Sequence, residues 1–332
     1  MSDTFLILFL IMAVPLGLII LIAIITALTG SKQVDYRGKH VFVTGGSEGL
    51  GRALAHQLVE AGADVTIVAR RPEVLQRVVD EVNQKSSPSR GRIFTQTADV
   101  TNEEAIRKAV ADAQATVGPI DILIPCAGKS LMGYMKDHTA EVHQKAMGLN
   151  YFGTLNTVNA ILPSMLQRKE GRICFITTGA ALTSYIGYSA YSPTKYAVRG
   201  LADCLRNELS SSGISIHIAY PNGMDTPGYA EEQLTKPAEC KAIEVAEKLY
   251  KPDDVASSIL SDMKNGVYSM YCGDFGIGLL GMMTAGMSPR KNPALDILMF
   301  PIGILAAFFV RSDWEKHSKA GEGYSQIGAN SV

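Results

Sequence analysis

Residues 40–51, HVFVTGGSEGLG, join a short β-rich run to a glycine-rich turn. The apolar run ends near Thr44, and residues 49–62 continue with apolar positions at helical spacing. The glycines at 45, 49 and 51 follow the pattern G-x3-G-x-G, although a tight turn alone would also favour glycine. Because this turn follows a strand and opens a helix, its amides and the positive helix N-terminus can meet a pyrophosphate. The stretch therefore predicts a dinucleotide site at the edge of an α/β sheet.

The alternation of strand and helix that begins there continues to residue 223. The predicted strands are 40–46, 63–70, 92–100, 120–128, 171–180 and 214–223. The predicted helices between them are 49–62, 72–84, 102–117, 139–169 and 189–211. Nearly continuous apolar strands alternating with helices are typical of a parallel sheet covered on both faces. The sequence thus predicts one doubly wound α/β domain over residues 38–272.

Charge and cysteine content exclude several classes of protein. The chain has 332 residues and a formal net charge of −1, which gives no general attraction to nucleic acid. Its cysteines are widely spaced and form no CxxC pair, so neither a disulfide framework nor any metal site is predicted. The cysteines are Cys126, Cys174, Cys204, Cys240 and Cys272.

The N-terminal segment is apolar and long. No charged residue lies between Asp3 and Lys32, and FLILFLIMAVPLGLIILIAIITAL fills residues 5–28. As a helix it would extend about 36 Å, enough for a hydrocarbon core of about 30 Å, whereas the apolar part of a cleaved signal is shorter and follows basic residues. We therefore predict a transmembrane helix within residues 1–31. Basic residues follow it at 32, 37 and 39, which places the domain in the cytosol.

The C-terminal part carries two further apolar runs. FGIGLLGMMTAGM occupies residues 275–287 and ILMFPIGILAAFFV occupies residues 297–310, and each is short for a full span. Two interpretations remain open for them. They form a re-entrant or interfacial hairpin on the same membrane, or they pack on the core or on a partner subunit of a homo-oligomer. Residues 273–332 are accordingly predicted as apolar membrane-associated segments followed by a polar tail.

Ligands of doubly wound sheets bind beyond the carboxyl ends of the strands. The second strand ends in Arg70 and Arg71 rather than in an acid, which favours the 2′-phosphate of NADP(H). Glu48 would oppose that phosphate unless it pairs with Arg70. The residues predicted to contact the dinucleotide are Gly45, Ser47, Glu48, Gly49, Leu50, Gly51, Arg70, Arg71, Asp99, Val100, Ala127, Gly128, Tyr191, Lys195, Pro221 and Thr226.

The stretch SAYSPTKYAVRGLADCL, residues 189–205, places Tyr191 and Lys195 one helical turn apart on one face. Taken alone, such a pair most often lies on a solvated face of a helix. Here the pair follows the fifth strand, at the edge predicted for the cofactor. Because a free tyrosine has a pKa of about 10, it is a weak acid at neutral pH, and a neighbouring ammonium group should lower that pKa. The pair therefore predicts a general acid for reduction of a carbonyl group.

The order of these motifs resembles that of the short-chain dehydrogenase/reductase family. TGGSEGLG at 44–51, CAG at 126–128, Asn150, Thr177-Thr178 and Y-x-x-x-K at 191–195 carry the resemblance, which covers about residues 38–228. It implies a Rossmann-type fold, with Tyr191 as acid, Lys195 holding the ribose and Asn150 ordering a water. Spacing favours Thr178 over Thr177 as donor to the substrate carbonyl. The chain departs from the family in having threonine in place of serine, and Pro125 where asparagine is common.

The anchor favours a hydrophobic substrate taken from the bilayer. The segment AYPNGMDTPGYAEEQLTKP, residues 219–237, is interpreted as a flexible substrate loop. Resemblance to lipid-metabolising members of the family implies reduction of a long-chain lipid ketone with NADPH at the cytosolic face of the endoplasmic reticulum membrane. A membrane-bound hydroxysteroid or retinol dehydrogenase is the nearest alternative. A membrane protein that binds NADP(H) without catalysis is another, and the intact Tyr191–Lys195 pair argues against it.

Overall fold

The computed structural model describes residues 17, 20, 21, 33–84, 90–245, 247–286, 288 and 290–320. The N-terminal helix predicted within residues 1–31 lies outside the described residues except at the first three of these positions, so it stays a prediction. The polar tail beyond residue 320 also lies outside them.

The described chain forms a seven-stranded, wholly parallel sheet in the order β3-β2-β1-β4-β5-β6-β7. The strands are β1 His40–Thr44, β2 Asp64–Ala69, β3 Ile93–Thr97, β4 Ile122–Pro125, β5 Gly171–Ile176, β6 Ile214–Ala219 and β7 Ser269–Met270. The strand order reverses direction between β1 and β4, which is where ligands bind in doubly wound sheets. The predicted fold class and all six predicted strands are confirmed, and β7 is additional.

Helices cover both faces of the sheet and continue beyond it. They are α1 Gly49–Glu60, α2 Pro72–Gln84, α3 Glu103–Val117, α4 Ala140–Met147, α5 Gly153–Arg168, α6 Ser192–Glu208, α7 Pro227–Thr235, α8 Ala238–Glu244, α9 Pro252–Lys264, α10 Phe275–Thr284 and α11 Pro293–Ala320. A π-helical turn, Gly148–Phe152, joins α4 to α5. The prediction of one long helical region over residues 139–169 is therefore confirmed with a local change of winding.

Alternation of side chains along each strand builds two cores. Val41 and Val43 pack with α1, α2 and α9 on one face, whereas Phe42 packs with α3, α5 and α6 on the other. These three side chains are fully buried. Each of the first six strands ends earlier than its apolar pattern predicts, because the residues that follow turn out of the sheet. That edge holds the loops that form the site.

Two parts of the chain differ from the sequence predictions. Residues 219–237 are not a loop throughout, because Thr226 caps α7, its Oγ1 accepting a hydrogen bond of 3.1 Å from the amide of Tyr229. Residues 297–310 are not a separate short run, because they lie inside the 28-residue helix α11. Among the described residues, Pro293–His317 is the one helix long and apolar enough to cross a membrane.

Candidate active site

The glycine-rich turn between β1 and α1 brings the backbone close to itself. Gly45 and Gly49 have φ values of +69° and +53°. A Cβ at Gly51 would lie 2.2 Å from the carbonyl oxygen of Gly45, and one at Gly45 would lie 2.8 Å from Cα of Ala127. No side chain fits at these positions, so the first turn of α1 presents its amides along an open path. This cradle fits a pyrophosphate at a helix N-terminus.

A cleft beside this turn extends over the ends of β2 and β3. Its lining includes Ser47, Glu48, Arg70, Arg71, Asp99, Val100 and Ala127. Arg71 donates a hydrogen bond of 2.7 Å to the Glu48 carboxylate, whereas Arg70 lies 3.9 Å from Asp99 and is largely exposed. The proposed Glu48–Arg70 pair is therefore wrong, since Glu48 pairs with Arg71. The pairing still reduces the repulsion that Glu48 would exert on a phosphate.

The Tyr191–Lys195 pair lies at the start of α6, in a cavity of ≈330 Å³ that adjoins the turn. Tyr191 is partly buried, and Lys195 is 7% exposed. The Lys195 ammonium nitrogen donates a hydrogen bond of 3.1 Å to the carbonyl of Ile176 and lies 5.8 Å from the centre of the Tyr191 ring. The two side chains thus share one wall of the cavity, as the spacing predicts.

Burial controls the charge of both groups. Burial lowers the pKa of Lys195 to about 8, so the charged and the neutral forms of this amine are equally populated at about that pH. Burial also raises the pKa of Tyr191, and the nearby Glu232 and Cys126 raise it further. The prediction that the pKa of Tyr191 lies below its ordinary value is therefore wrong. The reason is that desolvation outweighs an ammonium group 5.8 Å from the ring centre.

The two threonines after β5 differ in their hydrogen bonds. Thr177 is 3% exposed, and its hydroxyl donates to the carbonyl of Ala219 at 2.5 Å. Thr178 is partly exposed and lines the cavity with Tyr191. Because the Thr177 hydroxyl already has a partner within the sheet, the geometry favours Thr178 as the group that meets a substrate.

Asn150 lies in the π-helical turn and is 1% exposed. Its amide group donates to the carbonyl of Lys129 at 3.0 Å and to the Thr194 hydroxyl at 3.1 Å, and its oxygen accepts from the amide of Lys129 at 2.9 Å. π-helical turns are often found at functional sites. Here the turn lets Asn150 tie the segment after β4 to α6, the helix that carries Lys195. The predicted role in ordering a water stays a prediction.

The segment after β4 also accommodates Pro125. β1 and β4 remain paired as far as Thr44 and Pro125. Beyond them, the amide of Ala127 donates a hydrogen bond of 3.1 Å to the Thr44 hydroxyl. This bond holds the end of β4 against β1 where proline has no N–H to offer.

Another part of the cavity wall carries ionised groups that the sequence analysis missed. Lys236 has no exposed side-chain surface and pairs with Glu232 at 2.5 Å and also with Glu244. The hydroxyls of Tyr185 and Tyr188 donate to Glu244 at 2.9 and 2.7 Å. Burial alone would lower the pKa of Lys236, but its hydrogen bonds to both carboxylates raise it. The wall is thus a network of two carboxylates around one ammonium.

Nearly all predicted site residues line this cavity or the adjoining cleft. Those in the cavity are Gly45, Glu48, Gly49, Leu50, Gly51, Gly128, Thr177, Thr178, Tyr191, Lys195, Pro221 and Thr226. Asn150 lies behind the wall, where a Cβ at Gly128 would be 2.9 Å from its oxygen and 3.5 Å from the Lys195 nitrogen. Threonine followed by proline is a helix-start signal, and at residues 226–227 it could have revealed α7 with Glu232.

The fold and this site define a short chain dehydrogenase. The profile of that family matches residues 39–237, more than half of the chain, and the chain belongs to this family. It is therefore an oxidoreductase that uses NAD(P). The glycine cradle, the cleft and the Tyr191–Lys195 wall fit the pyrophosphate, adenosine and nicotinamide ends of such a cofactor.

Particular relatives are more specific than the family. The chain is 36% identical to the 3-ketodihydrosphingosine reductase of Dictyostelium discoideum, over 86% of this chain and 92% of that protein. It is 35% identical to the 3-dehydrosphinganine reductase of Danio rerio, over 82% of each. Among solved structures, a short chain dehydrogenase from Mycobacterium paratuberculosis bound to NAD has a TM-score of 0.63 at 24% identity, covering 72% of this chain and 97% of that one. This likeness supports the fold.

Proposed function

We propose that this chain reduces 3-ketosphinganine (3-ketodihydrosphingosine) to sphinganine with NADPH in sphingolipid synthesis. The observation that carries this proposal is the names of its relatives, which are 3-ketodihydrosphingosine or 3-dehydrosphinganine reductases. These relatives are 33–36% identical to the chain over 82–86% of its length. The cavity supports it, because an acid at Tyr191 and a hydroxyl at Thr178 face the same space. The substrate is a long-chain ketone with a cationic amine next to the carbonyl.

Each residue has a defined task in this reduction. The dinucleotide, when bound, supplies a hydride to the carbonyl carbon. Thr178 donates a hydrogen bond to the carbonyl oxygen, where negative charge develops. Tyr191 delivers the proton that completes the alcohol, and Lys195 stabilises the resulting phenolate. Asn150 holds α6 against the segment after β4, which keeps Tyr191 and Lys195 in place at the start of that helix.

The Glu232–Lys236–Glu244 wall favours an amino ketone over a neutral steroid or retinoid. Within this network the carboxylates outnumber the ammonium by one, and a protonated amine complements that charge. We expect Glu232→Gln to raise KM for 3-ketosphinganine about tenfold, since charged hydrogen bonds contribute about 1.5–3 kcal/mol. KM for a long-chain ketone without the amine should change little. A similar rise for both ketones would remove Glu232 from amine recognition.

We propose that Arg70 determines the preference for NADP(H) by binding the 2′-phosphate. Its side chain is largely exposed and lines the cleft. Arg70→Ala should raise KM for NADPH about 10- to 100-fold, because a charged hydrogen bond to the 2′-phosphate is lost. KM for NADH, measured on the same preparation, should change by less than about twofold. If Arg71→Ala has the larger selective effect, the 2′-phosphate is bound by Arg71 and the Glu48–Arg71 pair must open.

We further propose that the chain acts at the endoplasmic reticulum membrane with its catalytic domain in the cytosol. An alkyl chain of 16–18 carbons partitions into a bilayer at about 0.8 kcal/mol per CH₂, so such a ketone is almost absent from water.

NADPH oxidation by the full-length protein in vesicles, with and without 3-ketosphinganine, tests the function directly. Faster turnover of hydroxysteroid or retinoid substrates would favour that alternative, and no turnover of any ketone would favour a non-catalytic NADP(H)-binding protein.

A further inference from the structure

We propose that helix α11 lies flat in the surface of the bilayer and does not cross it, with its outer face in lipid and its C-terminal end in the wall of the catalytic cavity. The proposal deepens the proposed function, since it gives the lipid ketone a route to Tyr191. It rests on the contacts of α11 along its length, on the distribution of its charges and on the position of Trp314.

The first observation is that α11 touches the catalytic domain near both ends and in the middle. Ala294 is 7% exposed at the N-terminal end. A Cβ at Gly303 would lie 2.9 Å from the sulfur of Met283 and 3.2 Å from Leu279, both on α10. The ring of Trp314 lies 4.7 Å from that of Tyr185. These contacts extend over about 30 Å of helix, the full thickness of a hydrocarbon core.

Because α11 contacts the catalytic domain along most of its length, it cannot span a bilayer unless the adjoining part of the domain enters the bilayer as well. The loop before α11 is attached as well, because Lys291 pairs with Asp262 of α9 at 2.7 Å and Arg290 donates to the carbonyl of Met282 at 3.0 Å. The adjoining domain surface carries these ionised groups, and charged side chains are costly at the bilayer centre. The helix therefore runs parallel to the surface on which the domain sits.

The charges of α11 lead to the same orientation. The whole helix is long enough to cross, but its uncharged part runs only from residue 297 to residue 310 and extends about 21 Å, short of about 30 Å. Asp296 precedes it, paired with Arg290 at 3.0 Å, and Arg311 follows it, near Glu315. A helix that lies in the interface keeps both ends at the level of the head groups and needs no longer apolar run.

The outer face of α11 is broad, apolar and exposed. At 100° per residue its large side chains cover more than half of the helix circumference, whereas the inner side, which includes Gly303 and Trp314, is narrow. The exposed side chains are Leu295, Ile297, Leu298, Phe300, Ile302, Ile304, Leu305, Phe308, Phe309 and Val310. A second copy of the chain would cover one facet of such a surface, whereas lipid covers all of it. The predicted anchor in residues 1–31 holds the chain at the same membrane.

The C-terminal end of α11 connects this surface to the site. Trp314 lines the catalytic cavity together with Tyr185, Ile277 and Leu280. Tryptophan is enriched at membrane interfaces, where its ring meets both lipid and water. A lipid ketone that leaves the bilayer alongside α11 therefore reaches the cavity past Trp314, without its alkyl chain crossing water.

The orientation can be measured with tryptophan depth, because Trp314 is the only tryptophan of the chain. In a Trp314→Phe background, Leu298→Trp and Phe309→Trp place single probes on the same side of the outer face, about 20° apart around the helix and about 16 Å apart along its axis. The full chain is reconstituted in phosphatidylcholine vesicles that contain lipids brominated at shallow or deep acyl carbons. We expect both probes to be quenched best by shallow bromines and to give equal depths.

Two results would overturn the proposal. Depths that differ by about 16 Å would mean that α11 crosses the bilayer. Absence of quenching at both probes would remove the outer face from lipid, and cross-linking between copies through that face would then assign it to a dimer. Neither readout requires turnover, so an error in the assigned substrate leaves this test unaffected.

Discussion

Replacing Tyr191 by phenylalanine should reduce turnover of the ketone at least about 100-fold while NADPH binding is retained, as expected when a general acid is lost. The ring remains, so the packing of Tyr191 beside Tyr188, with ring centres 6.1 Å apart, is preserved. Only the proton donor is removed. Turnover is followed by NADPH oxidation, and binding by the fluorescence of the bound dinucleotide.

Tyr188→Phe is the matched control, because it removes a hydroxyl from the same cavity. That hydroxyl donates to Glu244 and so belongs to the Glu232–Lys236–Glu244 network of the cavity. We expect a loss of less than about tenfold, because Glu244 keeps its bonds to Tyr185 and Lys236 and no proton donor to the ketone is removed. Equal losses in the two variants would mean that the cavity needs its hydroxyls for shape or hydration, and Tyr191 would lose its assignment as the acid.

The fold was predictable because its signals are local. A buried strand, a glycine turn and an amphipathic helix repeat along the chain, and each can be read within about a dozen residues. Gly51 illustrates the strength of this signal, since the 2.2 Å approach of a Cβ to the Gly45 carbonyl permits no other residue. Strand ends were less predictable, because apolar residues continue past the last ladder hydrogen bond into the loops of the site.

The site was predictable only where its residues belong to local motifs. Tyr191 and Lys195 are one turn apart, so their shared face follows from helix geometry. Glu232, Glu244 and Trp314 reach the same cavity from α7, α8 and α11, and no spacing rule relates them to Tyr191. Glu48 pairs with Arg71 and not with Arg70 because of side-chain directions that a sequence pattern does not contain.

Charge was the least predictable property, because it depends on desolvation as well as on neighbours. Lys195 and Lys236 are both buried lysines of the same cavity. Burial lowers the pKa of Lys195 to about 8, with no carboxylate beside it to compensate. Lys236 has two carboxylates, and its pKa is raised. One lysine is thus held at a cost to stability, as functional groups often are, while the other is part of a satisfied network.

Lys195→Met should therefore reduce turnover at least about 100-fold and, at the same time, raise the melting temperature of the protein without dinucleotide. Methionine has a similar length and no charge to desolvate, and we expect this gain to exceed the loss of the hydrogen bond to Ile176, which is worth about 1.5–3 kcal/mol for a charged donor. Lys236→Met is the matched control and should lower the melting temperature, because it leaves Glu232 and Glu244 buried without their cation.

The pH dependence distinguishes this electrostatic cost from a simple improvement in packing. The pKa of Lys195 is about 8 in the folded chain against an ordinary 10.5, so between these values the unfolded chain binds more protons. The stability of the wild type should therefore rise with pH across that window, and its deficit relative to Lys195→Met should be largest below pH 8 and vanish near pH 10.5. Thermal unfolding of both proteins from pH 6.5 to the highest pH that both tolerate measures the difference. If the gain of Lys195→Met is independent of pH, its origin is packing, and the amine is not held in the cavity against its own hydration.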